Sequence, residues 1–417
     1  MKQIETLLIV LALAGVTSAG DFAIRDGDSV VFLGDSITAA RTYGRIIENY
    51  TLLRFPQRRV KFFNAGKGGD TARGCLERLD RDVFGHGATL VTVAVGINDI
   101  GWGMKADAEH KRQYLDGIRG IIEQCRQRHV RVFICSAAPG REANPDEGER
   151  GFLQQMCDEA MTMARASGAG AIDVQREMRK VQRRVLEVNK SEPADRKTSL
   201  YVADGVHLTD LGQMAMAFAI LKGLGAPADV SWVTLDAAGP ALVEARGCKV
   251  TGLKREADGL QFERLDEGLP INFGFLAAFN YRFVPFPDEM GRYGLTVKNL
   301  PPGQYEIIAA NRLIGRFSAQ QFAAGLNITW ATPDAWQPGG PWDAQWTALA
   351  PLTEARDKLA LSLSHATTFL SEHPRLTNLC DQAAAINKQL EVLQRNMAAP
   401  VPYRYTVRPA KPQRTAG

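Results

Sequence analysis

Beyond its first twenty residues the chain has no apolar run of transmembrane length, so no transmembrane segment is expected in the mature protein. Its six cysteines, Cys75, Cys125, Cys135, Cys157, Cys248 and Cys380, form no CxxC pair and no Cys/His cluster, so no metal site is expected. Dense Lys/Arg runs interleaved with aromatics are missing, and the net charge of +4 is mild; no nucleic-acid partner is expected. The glycines from Gly66 to Gly69 are not closed by a Gly-Lys-Ser/Thr, which removes the P-loop reading. No cofactor is called for.

What remains is a chain of 417 residues, 45% hydrophobic and 23% charged, ample for a core and too long for one compact unit. Two or three domains are expected. The start reads as an export signal over residues 1–19: Lys2 precedes an apolar stretch from Leu7 to Ala14, and Val16 to Gly20 offer small residues for cleavage near Ala19. This places the protein in the periplasm or outside the cell, with an uncleaved anchor as the alternative because Glu5 interrupts the basic region. In such a compartment one or two disulfides could form, although most of the cysteines read as small buried side chains.

The run Val30-Val31-Phe32-Leu33 stops abruptly at Gly34-Asp35-Ser36. A strand of such residues buries itself in a parallel sheet, and the turn after it lifts Ser36 above the carboxyl edge, where open α/β sheets place ligands. Ser is also common in ordinary turns. A base appears far downstream in Asp204-Gly205-Val206-His207, where the carboxylate can reach back within one turn and hold the imidazole in one tautomer. The bland alternative is that Asp204 caps the following helix and His207 is merely exposed. Two more strand ends lie between. Phe62-Phe63-Asn64-Ala65 leaves through the Gly66 to Gly69 cluster, and Leu90 to Val95 ends in Gly96-Ile97-Asn98-Asp99. Bare backbone at Gly69 and the amide of Asn98 are candidate donors to a developing oxyanion, an effect of about 2.7–4 kcal/mol per donor. Both segments also read as ordinary strand-to-helix turns.

Together these four pieces resemble the SGNH hydrolases, the GDSL esterase and lipase family. Gly34-Asp35-Ser36-Ile37 is similar to the nucleophile block, with Ile where the name-giving motif has Leu. Asn64 to Thr71, Gly96 to Asp99 and Asp204 to His207 match the other three blocks in order. The resemblance covers roughly residues 28 to 225. It implies Ser36 as nucleophile, His207 as base and Asp204 as orienting acid, with the Ser36 N–H, Gly69 and Asn98 forming the oxyanion hole. Leu208 stands where many relatives carry Pro. Acid and base share one short turn, unlike the Gly-x-Ser-x-Gly elbow enzymes. Trp102 could wall a substrate pocket or pack beneath its loop; Asp35 is the other pocket candidate, although such a side chain commonly stabilises its own turn.

Strand and helix alternate from Val30 to Leu224, with further strands at Val130–Cys135 and Ala171–Val174 and helices at Ala108–Gln127 and Phe152–Ala166. That pattern argues for an α/β fold, a three-layer parallel sheet flanked by helices, of SGNH or flavodoxin-like type. The Arg- and Lys-rich stretch from Arg176 to Lys197 reads as a helix with a solvated basic face. The catalytic domain is placed at 20–227. Short alternating runs and Pro/Gly turns over 228–329 suggest a small antiparallel β-sandwich, with hairpins predicted around Asp258-Gly259 and around Pro301-Pro302-Gly303. Residues 330–398 read as a loop holding Trp330, Trp336, Trp342 and Trp346, then a helical hairpin, and 399–417 as an extended or disordered Pro-rich tail. The Trp faces could stack on sugar rings, but the commoner role is to anchor the loop. The expected function is an exported serine esterase for acetyl or other short acyl esters on a small molecule or polysaccharide. The alternatives are a lipid or lysophospholipid esterase, an acyltransferase, and a glycan-binding or envelope scaffold without catalysis.

Overall fold

The computed structural model describes residues 22–256, 259–274, 279–334 and 336–410. The expected export signal, Asp258 and the last seven residues lie outside these.

Five parallel strands form the first sheet: β1 Ser29–Gly34, β2 Lys61–Gly66, β3 Leu90–Ala94, β4 Arg131–Cys135 and β5 Gly170–Ile172, in the order β2-β1-β3-β4-β5. This is the flavodoxin-like order, in which the chain reverses direction across the sheet between β1 and β3. Every residue of β1 and β3 is buried, as β-branched strands covered on both faces must be. The pleat sends alternate side chains to opposite layers. Val30 and Phe32 join Tyr43, Ile47, Val181 and Leu211 on one side, while Val31 and Leu33 join Val91, Tyr114, Ile118 and Met156 on the other. The covering helices are α1 Ser36–Ala39, α2 Thr42–Arg54, α3 Ala72–Glu77, α4 Ala108–Gln127, α5 Phe152–Ala166, α6 Val174–Asn189 and α7 Asp210–Gly223. Helix α6 turns Met178, Val181 and Val185 inward as predicted, but its basic side is not wholly solvated: Arg179 is 1% exposed and ion-paired with Glu142 at 2.7 Å.

The second module has two sheets. One contains β6 Asp229–Asp236, β7 Ala241–Arg246, β10 Arg292–Lys298 and β13 Leu326–Asn327; the other contains β8 Cys248–Glu256, β9 Gly259–Asp266, β11 Gln304–Ala309, β12 Arg312–Ser318 and β14 Tyr403–Pro409. The predicted β8/β9 hairpin forms. The predicted β10/β11 hairpin does not: Pro301-Pro302-Gly303 carries the chain from one sheet to the other, and β10 pairs in parallel with β6. A buried cluster ties the sheets together, with Arg264 of β9 donating to Asp266, to Ser231 of β6 and to the Gly294 carbonyl of β10.

The tail also departs from expectation. Residues 403–409 are not loose but lie in mid-sheet between β9 and β11, because Tyr403, Tyr405 and Val407 alternate inward and are buried. The hairpin, α8 Pro341–Phe369 and α9 Leu376–Ala398, packs its base against α2 through the Arg41–Asp357 ion pair and the Arg356–Glu48 pair, at 2.7 and 2.9 Å. Aromatic contacts from Phe218 through Phe286 and Phe273 to Trp346 continue the core of α7 into the module. All six cysteines are free thiols, so the one or two disulfides considered from the sequence do not form. Burial pushes the thiols of Cys125, Cys135 and Cys157 up to about 12. No helix among the described residues is long and apolar enough to cross a membrane.

Candidate active site

Strand β1 ends where only glycine fits: a Cβ on Gly34 would stand 2.1 Å from Thr38 Oγ1 and 2.7 Å from the Ala94 carbonyl. The chain then turns at once into α1. Asp35 caps this helix, its Oδ1 accepting the Ile37 N–H at 2.9 Å, which leaves Ser36 half-buried at the strand's carboxyl edge. Asp35 itself is 3% exposed, so it lies beneath the site and does not line a substrate pocket; its carboxylate is committed to the turn. Burial pushes its pKa up to about 6.

The segment from Ser199 to Thr209 brings the imidazole to Ser36. Its shape comes from a bridge between Tyr201 and Leu208, the left-handed Gly205 at φ +78°, and Thr209, which caps α7. Arg141 fixes it from outside, donating its N–H to the Gly205 carbonyl at 2.7 Å and its guanidinium to the carbonyls of Tyr201 and Val202. His207 Nε2 lies 2.8 Å from Ser36 Oγ, and His207 Nδ1 lies 2.6 Å from Asp204 Oδ2. The other Asp204 oxygen accepts the N–H groups of Val206 and His207 at 2.8 and 2.9 Å. The hydrogen bond from His207, helped by those two N–H groups, holds the Asp204 pKa down to about 2. The arrangement is a continuous hydroxyl–imidazole–carboxylate line.

Asn98 stands on the β3 side. Its Nδ2 donates to the Asp70 carbonyl at 3.0 Å, and its Oδ1 accepts the Trp102 indole N–H at 2.9 Å, which fixes the amide's orientation. Gly69 is exposed at φ +73°, next to Asp70 in a turn closed by Asp70 N–H on the Lys67 carbonyl at 3.2 Å. A Cβ there would meet nothing within 4 Å, so the dihedral and not crowding calls for glycine. Trp102 does not pack beneath its loop: its ring is 46% exposed and meets the His207 ring edge-on at 5.7 Å.

Three residues that sequence reading passed over support these groups. Arg78, 7% exposed, donates to Asp70 at 2.7 Å, to Asp82 at 2.9 Å and to the Gly34 carbonyl at 3.1 Å, tying the glycine turn to the end of β1. Asp99 accepts the Ala72 N–H on Oδ1 at 2.9 Å, while its buried Oδ2 meets no donor among the described residues. Burial, reinforced by the neighbouring charges of Asp35 and Asp70, pushes the Asp99 pKa up to about 6. Asp70 and Asp99 sit inside recognisable motifs, but nothing around Arg78 marked it.

The sequence model of the GDSL-like Lipase/Acylhydrolase family matches residues 32–215. Among solved structures, a gut microbial diltiazem-metabolizing enzyme is 22% identical with a TM-score of 0.79, and the match covers 93% of this chain and 98% of that one. The sheet, the β-module and the hairpin therefore recur there as one fold. An acetyl xylan esterase from Geobacillus stearothermophilus is 20% identical with a TM-score of 0.40, over 49% of this chain and 97% of its own. An alpha/beta hydrolase from the metagenome of Lake Arreo, Spain, is 20% identical with a TM-score of 0.41, over 49% and 98%. No curated protein matches the chain.

Proposed function

Because residues 32–215 belong to the GDSL-like lipase/acylhydrolase family, which makes the chain a carboxylic ester hydrolase, we propose that Ser36 is the residue acylated during turnover. One observation carries this reading: His207 stands within hydrogen-bond reach of Ser36 on one ring nitrogen and of Asp204 on the other. Ser36 Oγ attacks the ester carbonyl carbon while its proton passes to His207 Nε2. Asp204 holds the Nδ1–H and stabilises the imidazolium. When the C–O bond of the ester breaks, the leaving alkoxide takes that proton, and water, deprotonated by the same nitrogen, releases the acyl group from Ser36.

The oxyanion receives the Ser36 N–H, the Gly69 N–H and the Asn98 amide. An amide NH₂ carries two hydrogens, so Asn98 keeps one for substrate after serving the Asp70 carbonyl. We assign the substrate to acetyl or similarly short acyl esters, borne by a bulky polar alcohol such as a carbohydrate, and the protein to the exported class. The His207 and Asp204 side chains are 35% and 34% exposed, an open setting that suits a small acyl group on a large partner. The apolar segment at Leu7 to Ala14 supports export.

Ser36→Ala tests the assignment. Hydrolysis of p-nitrophenyl acetate should fall roughly 10⁴-fold or more with the fold intact by circular dichroism. A fluorophosphonate should add its mass to Ser36 and not to that variant. Undiminished turnover by Ser36→Ala, or label on another residue, would overturn the proposal.

A further inference from the structure

Trp102 is held in a conformation that its packing does not explain. Six non-glycine residues among the described ones have positive φ; Trp102, at φ 58° and ψ 30°, is the largest of them, and it alone is flanked on both sides by left-handed residues, Gly101 at +51° and Gly103 at +97°. A bulky side chain there is a genuine backbone outlier, of the kind that gathers at functional sites. Burial does not offset that cost in full, since the side chain stays 46% exposed. What the turn does achieve is a tight wrap around Asn98. The Gly101 N–H donates to the Asn98 carbonyl at 3.0 Å, the Trp102 N–H to the Ile97 carbonyl at 2.9 Å, and the indole N–H to Asn98 Oδ1 at 2.9 Å.

An amide oxygen tied up as an acceptor cannot turn to face substrate, and donation into it polarises the N–H groups at the other end. Asn98 Nδ2 gives one hydrogen to the Asp70 carbonyl, so the second is the one left for an oxyanion. The bond from Trp102 acts on that second hydrogen from behind. The same ring meets His207 edge-on at 5.7 Å, so the turn spans the donor and the base. We propose that Trp102 is a positioning residue for ester hydrolysis: its indole N–H, held in place by the left-handed turn at residues 101–103, keeps the Asn98 amide aimed and polarised toward the transition-state oxyanion. This role rests on the acylation of Ser36 and on Asn98 as an oxyanion donor, and it needs no contact between Trp102 and substrate.

Trp102→Phe keeps an aromatic ring and removes the N–H. With p-nitrophenyl acetate its kcat should fall about tenfold, equivalent to about 1.4 kcal/mol, with KM within about twofold of the parent and the far-ultraviolet circular dichroism unchanged. Trp102→Leu, which lacks the ring as well, should lose at least as much. A merely structural role would lower kcat by the same factor in any background, whereas a residue acting through Asn98 has nothing left to act on once that amide is gone. In Asn98→Ala, adding Trp102→Phe should therefore leave kcat unchanged. A parent-like kcat in Trp102→Phe or in Trp102→Leu, a loss confined to KM, or the same tenfold loss in both backgrounds would overturn the role of Trp102. Ser36→Ala decides the nucleophile independently: loss of turnover there beside a parent-like Trp102→Phe removes this inference and leaves that assignment standing.

Discussion

Asp99→Asn removes a buried ionisable group from beneath the site while keeping its one hydrogen-bonded oxygen, which accepts the Ala72 N–H. In the folded chain the Asp99 pKa rises from 3.8 to about 6, chiefly through burial. The folded protein therefore holds a proton that the unfolded chain releases. Stability tied to that proton is fully present below about pH 4 and is lost as pH climbs to about 6. A difference of about two pKa units corresponds to about 3 kcal/mol. The asparagine cannot ionise, so the variant gains on the parent by about that amount between pH 4 and pH 6, and the gap is constant above. Urea unfolding of both proteins in half-unit pH steps, followed by far-ultraviolet circular dichroism, measures the difference while the contributions of distant carboxylates cancel. Stability curves that run parallel across that window would refute the argument.

Asn98→Ala should lower kcat on p-nitrophenyl acetate about 10²- to 10³-fold with KM little changed; a rise in KM alone would remove Asn98 from the oxyanion hole. Arg78→Met leaves the buried Asp70 carboxylate without its counter-charge and should destabilise the protein by about 3–5 kcal/mol, most of it recovered when Asp70→Asn is added. If the double variant is no more stable than the single one, the ion pair is not the cause. A chain ended at Pro402 lacks β14 and should lose protease resistance across residues 229–330; an unchanged digestion pattern would show that the module does not depend on that strand.

The catalytic half was legible because its signals are local. Strands β1 and β3 are continuous apolar runs that stop at Gly-Asp-Ser and at Gly-x-Asn-Asp, β2 leaves through a glycine cluster, and Asp204 and His207 share a single turn. The β-module was harder. Tyr403-Arg404-Tyr405-Thr406-Val407-Arg408 alternates as a strand should, but Pro400, Pro402 and Pro409 around it masked the pattern. Pairing of β10 with β6 in place of β11 was likewise hidden, since turn residues tell where a strand stops and not which neighbour it chooses. Arg179 read as part of a solvated face and Arg78 carried no mark at all, because their partners, Glu142 and Asp70, come from other elements. In the Trp-rich segment, Trp342 and Trp346 are the anchors, whereas Trp330 faces solvent.

Strand β14 follows every one of its sheet partners in chain order, although it lies in the middle of them. During synthesis the five-stranded parallel sheet can close as soon as β5 has emerged, because its strands precede the module. The β-module has to wait. Until Tyr403–Pro409 is made, β9 and β11 each present a ladder of unanswered amides and carbonyls, the kind of edge that recruits foreign strands. Nascent chains are therefore most prone to aggregate in the interval between these two events, when the strand that must be threaded between two others has not yet been made.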